Sequence, residues 1–179
     1  MDTPEILFRA KRFNIERVEQ VMPDGSRHVR EIVRHPGAVV LLPLLDDRRI
    51  CFVRNYRVAV GQTLIELPAG TLEPHESPAE TAVRELAEET GYRAGRLEHV
   101  LTFYMSPGIL DERTHFFLAE QLQVGPASLD AGEDIQPLIC TWDEALAMVG
   151  RGEIRDAKTL AALLYYHTFR TTALQSPRR

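Results

Sequence analysis

Three glutamates, Glu85, Glu88 and Glu89, fall at i, i+3 and i+4 of a segment with a helical pattern. Their carboxylates therefore project from neighbouring positions of one helix. Like charges at this spacing destabilise a helix by about 0.2–0.5 kcal/mol per pair. Glu88 and Glu89 also fall in the last turn, where the helix dipole disfavours anions. Arg84, four residues after Glu80 and four before Glu88, offsets part of the repulsion. The remainder calls for another cation. Clustered carboxylates with no histidine or cysteine beside them select a hard divalent ion, Mg²⁺ or Mn²⁺. Taken alone, three such glutamates are more often a solvated acidic face than a metal site.

A wider window changes that balance. Gly70 is followed by five residues and Glu76, then by seven residues and Arg84-Glu85-Leu86, one residue, Glu88-Glu89, one residue and Gly91-Tyr92. Every fixed position of the Nudix box is matched, and with average residue usage a chance match in one window is on the order of 10⁻¹⁰. The chain thus resembles the Nudix hydrolases, which use divalent metal to cleave a nucleoside diphosphate linked to another moiety. Phosphoanhydride hydrolysis needs a water in line with phosphorus and a sink for charge on the non-bridging oxygens, and bound divalent ions serve both needs. The resemblance implies that Glu85 and Glu89 are catalytic metal ligands, with Glu88 beside them and the backbone carbonyl of Ala69 as a further ligand. Gly70 then lets the chain turn close to the metal without a side chain. Arg84 is expected to hold the carboxylates, and Glu76 to brace the loop onto the helix.

Flanking segments narrow the substrate. Arg54-Asn55-Tyr56-Arg57 and Glu66-Leu67-Pro68-Ala69-Gly70 resemble the paired-arginine segment and the E-L-P-A-G run of ADP-ribose pyrophosphatases. Arginines suit a diphosphate because they grip it bidentately; the alternative for each is a surface strand arginine. Pro107 stands fifteen residues after Tyr92, a spacing similar to that subfamily's marker. Asp111-Glu112 follows, where the family uses an acid to hydrogen-bond the terminal ribose. Substrate contacts are therefore expected from Arg54, Arg57, Glu66, Pro107 and Glu112. The family also carries a catalytic acid outside the box. In Asp130-Ala131-Gly132-Glu133-Asp134-Ile135, Glu133 is the expected base or extra metal ligand, with Asp130 and Asp134 as rivals and a plain acidic loop equally open. Phe8 and Phe13 are candidates to stack on adenine, against simple packing. The implied reaction converts ADP-ribose and water to AMP and ribose 5-phosphate. The alternative is a GDP-mannose (or other nucleoside diphosphate sugar) pyrophosphatase of the same branch, because residues 104–108 and 152–159 resemble both groups. A non-catalytic nucleotide-sugar sensor is a third reading, opposed by the presence of all three box glutamates.

Such a site needs elements to hold it. Ser77-Pro78-Ala79-Glu80 forms a capping box with proline at N1, so a helix is expected over residues 77–90, ended by Gly91. Ala82, Val83, Leu86, Ala87 and Thr90 would line its core face. Residues 5–34 are β-rich, with alternation over 13–21, an Asp24-Gly25 turn and a return strand over 28–33. Residues 37–45 are almost wholly apolar, as in a strand buried on both faces. Further strands are expected over 50–54, 64–67, 97–104, 114–120 and 137–142. A second capping box at Thr141 and Glu144 opens a helix to about residue 149. Asp156 caps a last helix to about residue 171, with Leu160, Leu163, Leu164 and His167 on one face. This interleaving predicts the α+β class, a mixed sheet flanked by helices and preceded by a small β extension; the resemblance implies the Nudix fold, a sheet sandwiched between helices (α/β/α), with residues 1–35 as the N-terminal β extension and 36–179 as the Nudix hydrolase domain. A lone hairpin is marginal in water, and relatives pair through this segment, so the resemblance implies a two-fold homodimer.

Composition excludes several classes. The 179 residues carry 26 acidic and 21 basic side chains, a net charge of −5 and a pI of about 5.7. That balance gives no reason to expect nucleic-acid binding or a polybasic membrane contact. The longest nearly apolar run, residues 36–45, is too short to span a bilayer, and the acidic N-terminus is unlike a signal peptide. Cys51 and Cys140 form no CxxC pair, so no disulfide framework is expected and the reducing cytoplasm is the expected compartment.

Overall fold

The apolar run over residues 37–45 becomes the centre of the fold. In the computed structural model, residues 5–125 and 135–171 are described. They form, in order, β1 (Glu5–Arg9), β2 (Asn14–Val21), β3 (Arg27–Arg34), β4 (Ala38–Pro43), β5 (Ile50–Arg57), β6 (Gln62–Glu66), β7 (Ala69–Thr71), α1 (Pro78–Thr90), β8 (Tyr92–Tyr104), β9 (Arg113–Val124), β10 (Ile135–Cys140), α2 (Trp142–Gly150) and α3 (Ala157–Tyr166). A π-helical turn, His167–Thr171, continues α3. Among the described residues no helix is long and apolar enough to cross a membrane.

All six residues of β4 are buried. The strand lies inside a four-stranded sheet of order β7-β4-β9-β8, antiparallel to β7 and parallel to β9. Its side chains alternate between two cores, as the strand period requires. Val39 and Leu41 join Ala82, Leu86 and Phe117 beneath α1. Val40 and Leu42 join Ile50, Phe52 and Phe116, together with Ala145 and Met148 of α2 and Ala162 and Leu163 of α3. A second, antiparallel sheet of order β10-β5-β6 contributes to this larger core. The fold is therefore α+β as expected, with its strands shared between a mixed and an antiparallel sheet. Cys51 and Cys140 lie on the paired strands β5 and β10 as free, buried thiols. Burial pushes them up to about 12 and about 11 respectively, so both stay protonated and pack as small apolar groups.

The capping signals are realised at all three helices. Ser77 and Glu80 close a reciprocal box, Thr141 and Glu144 close another, and Asp156 caps α3. Gly91 ends α1 in the left-handed region, at φ 72°, donating its N–H to Ala87 O. The buried stripes differ from the apolar reading. In α1 the stripe is Thr81, Ala82, Glu85, Leu86, Glu89 and Thr90, while Val83 is exposed. Two glutamates take inward positions that an apolar pattern cannot assign. In α3 the stripe is Thr159, Ala162, Leu163 and Tyr166, one position away from the expected face, and Leu164 is exposed. Strand β7 has only Ala69, Gly70 and Thr71, too short and too small for a period-two signal.

Strands β1, β2 and β3 form a separate antiparallel sheet. No described residue before Gly37 is buried. The sheet joins the rest through Val33, whose N–H donates to Ile109 O (2.8 Å) and whose carbonyl accepts from Asp111 N (3.1 Å). Asp111 returns the connection, accepting from Arg34 Nη1 at 3.1 Å and His35 N at 2.8 Å.

Candidate active site

The glutamates of α1 are not a solvated acidic face. Glu85 is 9% and Glu89 4% exposed. The helix turns both towards β7, because Ala82 and Leu86 on the adjoining positions are drawn into the core. Glu89 Oε2 accepts from Ala69 N at 3.1 Å. Glu85 approaches the neighbouring residue so closely that a Cβ on Gly70 would lie 1.7 Å from its Oε1 and 1.9 Å from its carboxyl carbon. The box glycine is thus required because the carboxylate of Glu85 occupies the space where a side chain would stand.

Arg84 supplies the charge that lets these acids sit together. Its Nη1 donates to Glu85 Oε1 (2.8 Å) and Glu88 Oε2 (3.0 Å). Nε and Nη2 each donate to one oxygen of Glu76, both at 2.9 Å. Glu76 also accepts from Thr81 Oγ1 at 2.9 Å and Glu73 N at 3.3 Å, fastening the loop to the helix. The Arg84 guanidinium holds the Glu76 carboxyl down to about 2, against some burial and with help from Thr81. Arg84 in turn binds its proton more tightly than a free arginine, through Glu76 first and Glu85 next, against its own burial.

A cavity of about 1180 Å³ opens beside these groups. Ala69, Gly70, Glu85 and Glu89 line it, together with Arg57, Glu112 and Lys158, and Phe13, Asn14 and Arg34 from the N-terminal sheet. The donors available to a metal are carboxylate and backbone oxygens, a set that fits Mg²⁺ or Mn²⁺ rather than a thiophilic ion. Among the described residues no three His, Cys, Asp or Glu side chains converge as a finished metal cage. Arg84 engages Glu85 and Glu88 in the geometry present.

The expected site residues divide. Ala69, Glu85 and Glu89 line the cavity, while Glu88 stands outside its lining against Arg84. Arg57 and Glu112 line it; Arg54, Glu66 and Pro107 do not. Alternation along β5 puts Arg54 on the face opposite Arg57, where it is exposed. Pro107 is exposed in the turn after β8, and Met105 lines the cavity instead. Glu66 lies behind the wall with its side chain 1% exposed. Burial pushes its carboxyl up, but hydrogen bonds from Arg57 and the charge of Lys158 win and hold it below the usual range. Phe13 lines the cavity; Phe8 does not, its ring lying 6.4 Å from that of Phe13. Glu133, with Asp130 and Asp134, lies outside the described residues. Sequence reasoning missed Arg34 and gave Lys158 no role, although the segment 152–159 that contains it resembles both groups of the family. Each comes from an element remote in sequence from the box.

Comparison with known proteins places the chain. The NUDIX domain profile matches residues 33–163, and the chain belongs to the Nudix hydrolase family. Over 163 residues it is 42% identical to an ADP-ribose pyrophosphatase of Bacillus subtilis (strain 168), a match covering 90% of this chain and 88% of that one. It is 39% identical over 159 residues to a methanol dehydrogenase activator of Bacillus methanolicus, covering 88% and 85%. It is 39% identical over 156 residues to a GDP-mannose pyrophosphatase of Citrobacter koseri, covering 81% of each. A crystal structure of an ADP compounds hydrolase superposes with a TM-score of 0.83, over 97% of this chain and 95% of that one at 22% identity, a likeness of fold.

Two outcomes are expected. Gly70→Ala should force the Glu85 carboxylate out of its place and lower the metal-dependent hydrolysis rate by about 10²-fold or more, with the melting temperature close to that of the parent. Paired kinetics and thermal melts check this. Glu76→Gln should lower stability at neutral pH. The folded-state carboxyl sits near 2, below its ordinary 4.5, so its contribution is full above 4.5 and is lost as pH falls through about 2. Urea midpoints of parent and variant should therefore differ at pH 7 and converge as the pH drops from 4.5 towards 2.

Proposed function

We propose that this protein is an ADP-ribose pyrophosphatase that hydrolyses ADP-ribose to AMP and ribose 5-phosphate with Mg²⁺, or Mn²⁺ in its place. The observation that carries the reading is the burial of Glu85 and Glu89 against Ala69 and Gly70 in the wall of a cavity large enough for a nucleoside diphosphate sugar. The relative at 42% identity supports the choice of sugar. Glu85, Glu89 and the Ala69 carbonyl would hold the ion, with Glu88 assisting from outside the lining. When bound, the ion supplies charge stabilisation on the diphosphate oxygens and a more acidic water. Arg57 grips the diphosphate, Glu112 accepts a hydrogen bond from the terminal ribose, and Phe13 offers its ring to the base. Glu133 would take the proton of the attacking water. Hydrolysis of GDP-mannose is the second reading, supported by the 39% identical relative.

The reading extends to assembly. The N-terminal extension, residues 1–35, would pair two copies into a homodimer around a Nudix domain of residues 36–179. In support, its three-stranded sheet has no buried residue of its own and exposes Ile6, Leu7, Phe8, Val21 and Val29. The free buried cysteines are in keeping with a cytoplasmic setting, and the net charge of −5 with a small-molecule substrate rather than nucleic acid.

A phosphate-release screen of nucleoside diphosphate sugars, coupled to a phosphatase, should give a higher kcat/KM for ADP-ribose than for GDP-mannose. A tenfold win for GDP-mannose, about 1.4 kcal/mol of transition-state preference, would overturn the choice. In the same assay Glu89→Gln should cost about 10²–10⁴ in rate. Light scattering should give twice the chain mass of 20.3 kDa; a monomer mass at micromolar concentration would sink the dimer.

A further inference from the structure

Past the other end of β4, a second cavity of about 260 Å³ lies between the turn after this strand, β8, β9 and the end of α3. It shares no lining residue with the larger cavity. Its polar lining is Asp46 and Arg48 from the turn, Arg96 from β8, Glu120 and Gln121 from β9, and Tyr166 from α3. Tyr166 is only 4% exposed, yet among the described residues its hydroxyl has no hydrogen-bond partner. No side-chain N or O atom sealed from solvent lacks a partner among these residues, so the hydroxyl opens onto the cavity. Burial first, and then the charge of Glu120, push the phenol above its usual pKa, so it keeps its proton and can donate it.

The backbone is held here in a conformation that its residues disfavour. Leu45 N donates to Arg49 O at 2.9 Å and Arg48 N to Leu45 O at 2.8 Å. These bonds close a three-residue hairpin loop with Arg48 left-handed, at φ 63°, where glycine is preferred. Gln121 is left-handed too, at φ 55°. Among the described residues the other such non-glycine is His75, in the loop that borders the larger cavity. Residues in this region cluster at ligand sites.

The lining offers two kinds of partner. Asp47 pairs with Arg49, and Arg48 has no ion pair among the described residues. Its planar fork of donors matches a phosphate, and its charge acts on the Tyr166 hydroxyl. Glu120 is already answered: it accepts from Arg96 Nη1 at 2.9 Å, while Arg96 Nη2 donates to Glu98 at 2.9 Å. Asp46 and Gln121 remain as an unpaired carboxylate and an amide. A bare anion would be repelled by Asp46, whereas a sugar phosphate has hydroxyls to give it. At about 30 Å³ per water, the cavity has room for a sugar monophosphate but is too small for a nucleoside diphosphate sugar.

We propose that this cavity is a second binding site, for a small sugar monophosphate, with Arg48 and Tyr166 on the phosphate and Asp46 and Gln121 on the sugar hydroxyls. The inference does not rest on the catalysed reaction, because its test reads binding alone. Ribose 5-phosphate is the probe. Calorimetric titration of the metal-free protein, with Trp142 emission followed in parallel, should saturate with a Kd of about 1 mM or tighter. Trp142 is the one tryptophan of the chain, its ring 5.4 Å from that of Tyr166, and it does not line the larger cavity. Tyr166→Phe and Arg48→Gly should each weaken this binding about tenfold, the loss of a hydrogen bond to a charged group. Arg48→Gly should melt no lower than the parent, since glycine accepts the left-handed turn. Inorganic phosphate, lacking the hydroxyls, should bind about tenfold more weakly than the sugar phosphate. No saturation by the parent, or the parent's affinity in either variant, would overturn the site; equal affinity for inorganic phosphate would overturn the sugar.

Discussion

Two carboxylates have to be buried on one helix and still remain able to act as oxygen donors. Removing a charge from water costs several kcal/mol unless partners replace the hydration. Glu85 and Glu89 meet that demand at strand β7. Glu89 takes the N–H of Ala69, and Glu85 fills the side-chain space of Gly70 and accepts from Arg84. Much else in the molecule serves this close approach: the core residues that orient α1, the capped entry at Ser77, and the loop that Glu76 ties to the helix.

The surrounding charges follow a common plan. Four of the cations that line the cavity are anchored by carboxylates that also answer to another partner. Arg84 is shared among Glu76, Glu85 and Glu88; Arg57 and Lys158 share Glu66; Arg34 bridges Glu16 and Asp111. A cation with a multidentate anchor has few alternative rotamers, so each of these ion-pair networks holds its charges in one arrangement around the cavity. The Arg34 bridge also couples β3 to the loop that precedes β9. Through it an otherwise coreless sheet delivers Phe13 and Asn14 to the same cavity.

The double-sided burial of β4 makes this possible at low cost. One face carries α1 and the box carboxylates. The other carries β5, β6 and α3, and hence Arg57, Glu66 and Lys158. Two groups of functional side chains, far apart in sequence, are thereby set around one strand whose register is fixed by apolar contacts on both sides.

By itself the sequence determined what depends on local spacing. The caps at Ser77, Thr141 and Asp156, the stop at Gly91, the all-apolar β4 and the box from Gly70 to Tyr92 can each be read within a few turns of chain, because capping, strand burial and the i, i+4 geometry are local physics. Tertiary structure decided everything that needs a second element. The apolar pattern placed Val83 inward, but Glu85 and Glu89 hold the inward positions because β7 offers them an N–H and a missing side chain. Arg54 and Arg57 look equivalent in sequence; pairing of β5 between β10 and β6 sends them to opposite faces, and only Arg57 reaches the cavity. Glu66 reads as a contact residue, yet its burial and two cations make it an anchor. Lys158 lies in a segment that resembles the family, but its pairing cannot be read there, since its partner Glu66 ends β6 while Lys158 stands in the first turn of α3, and only long-range packing brings their charges within bonding distance.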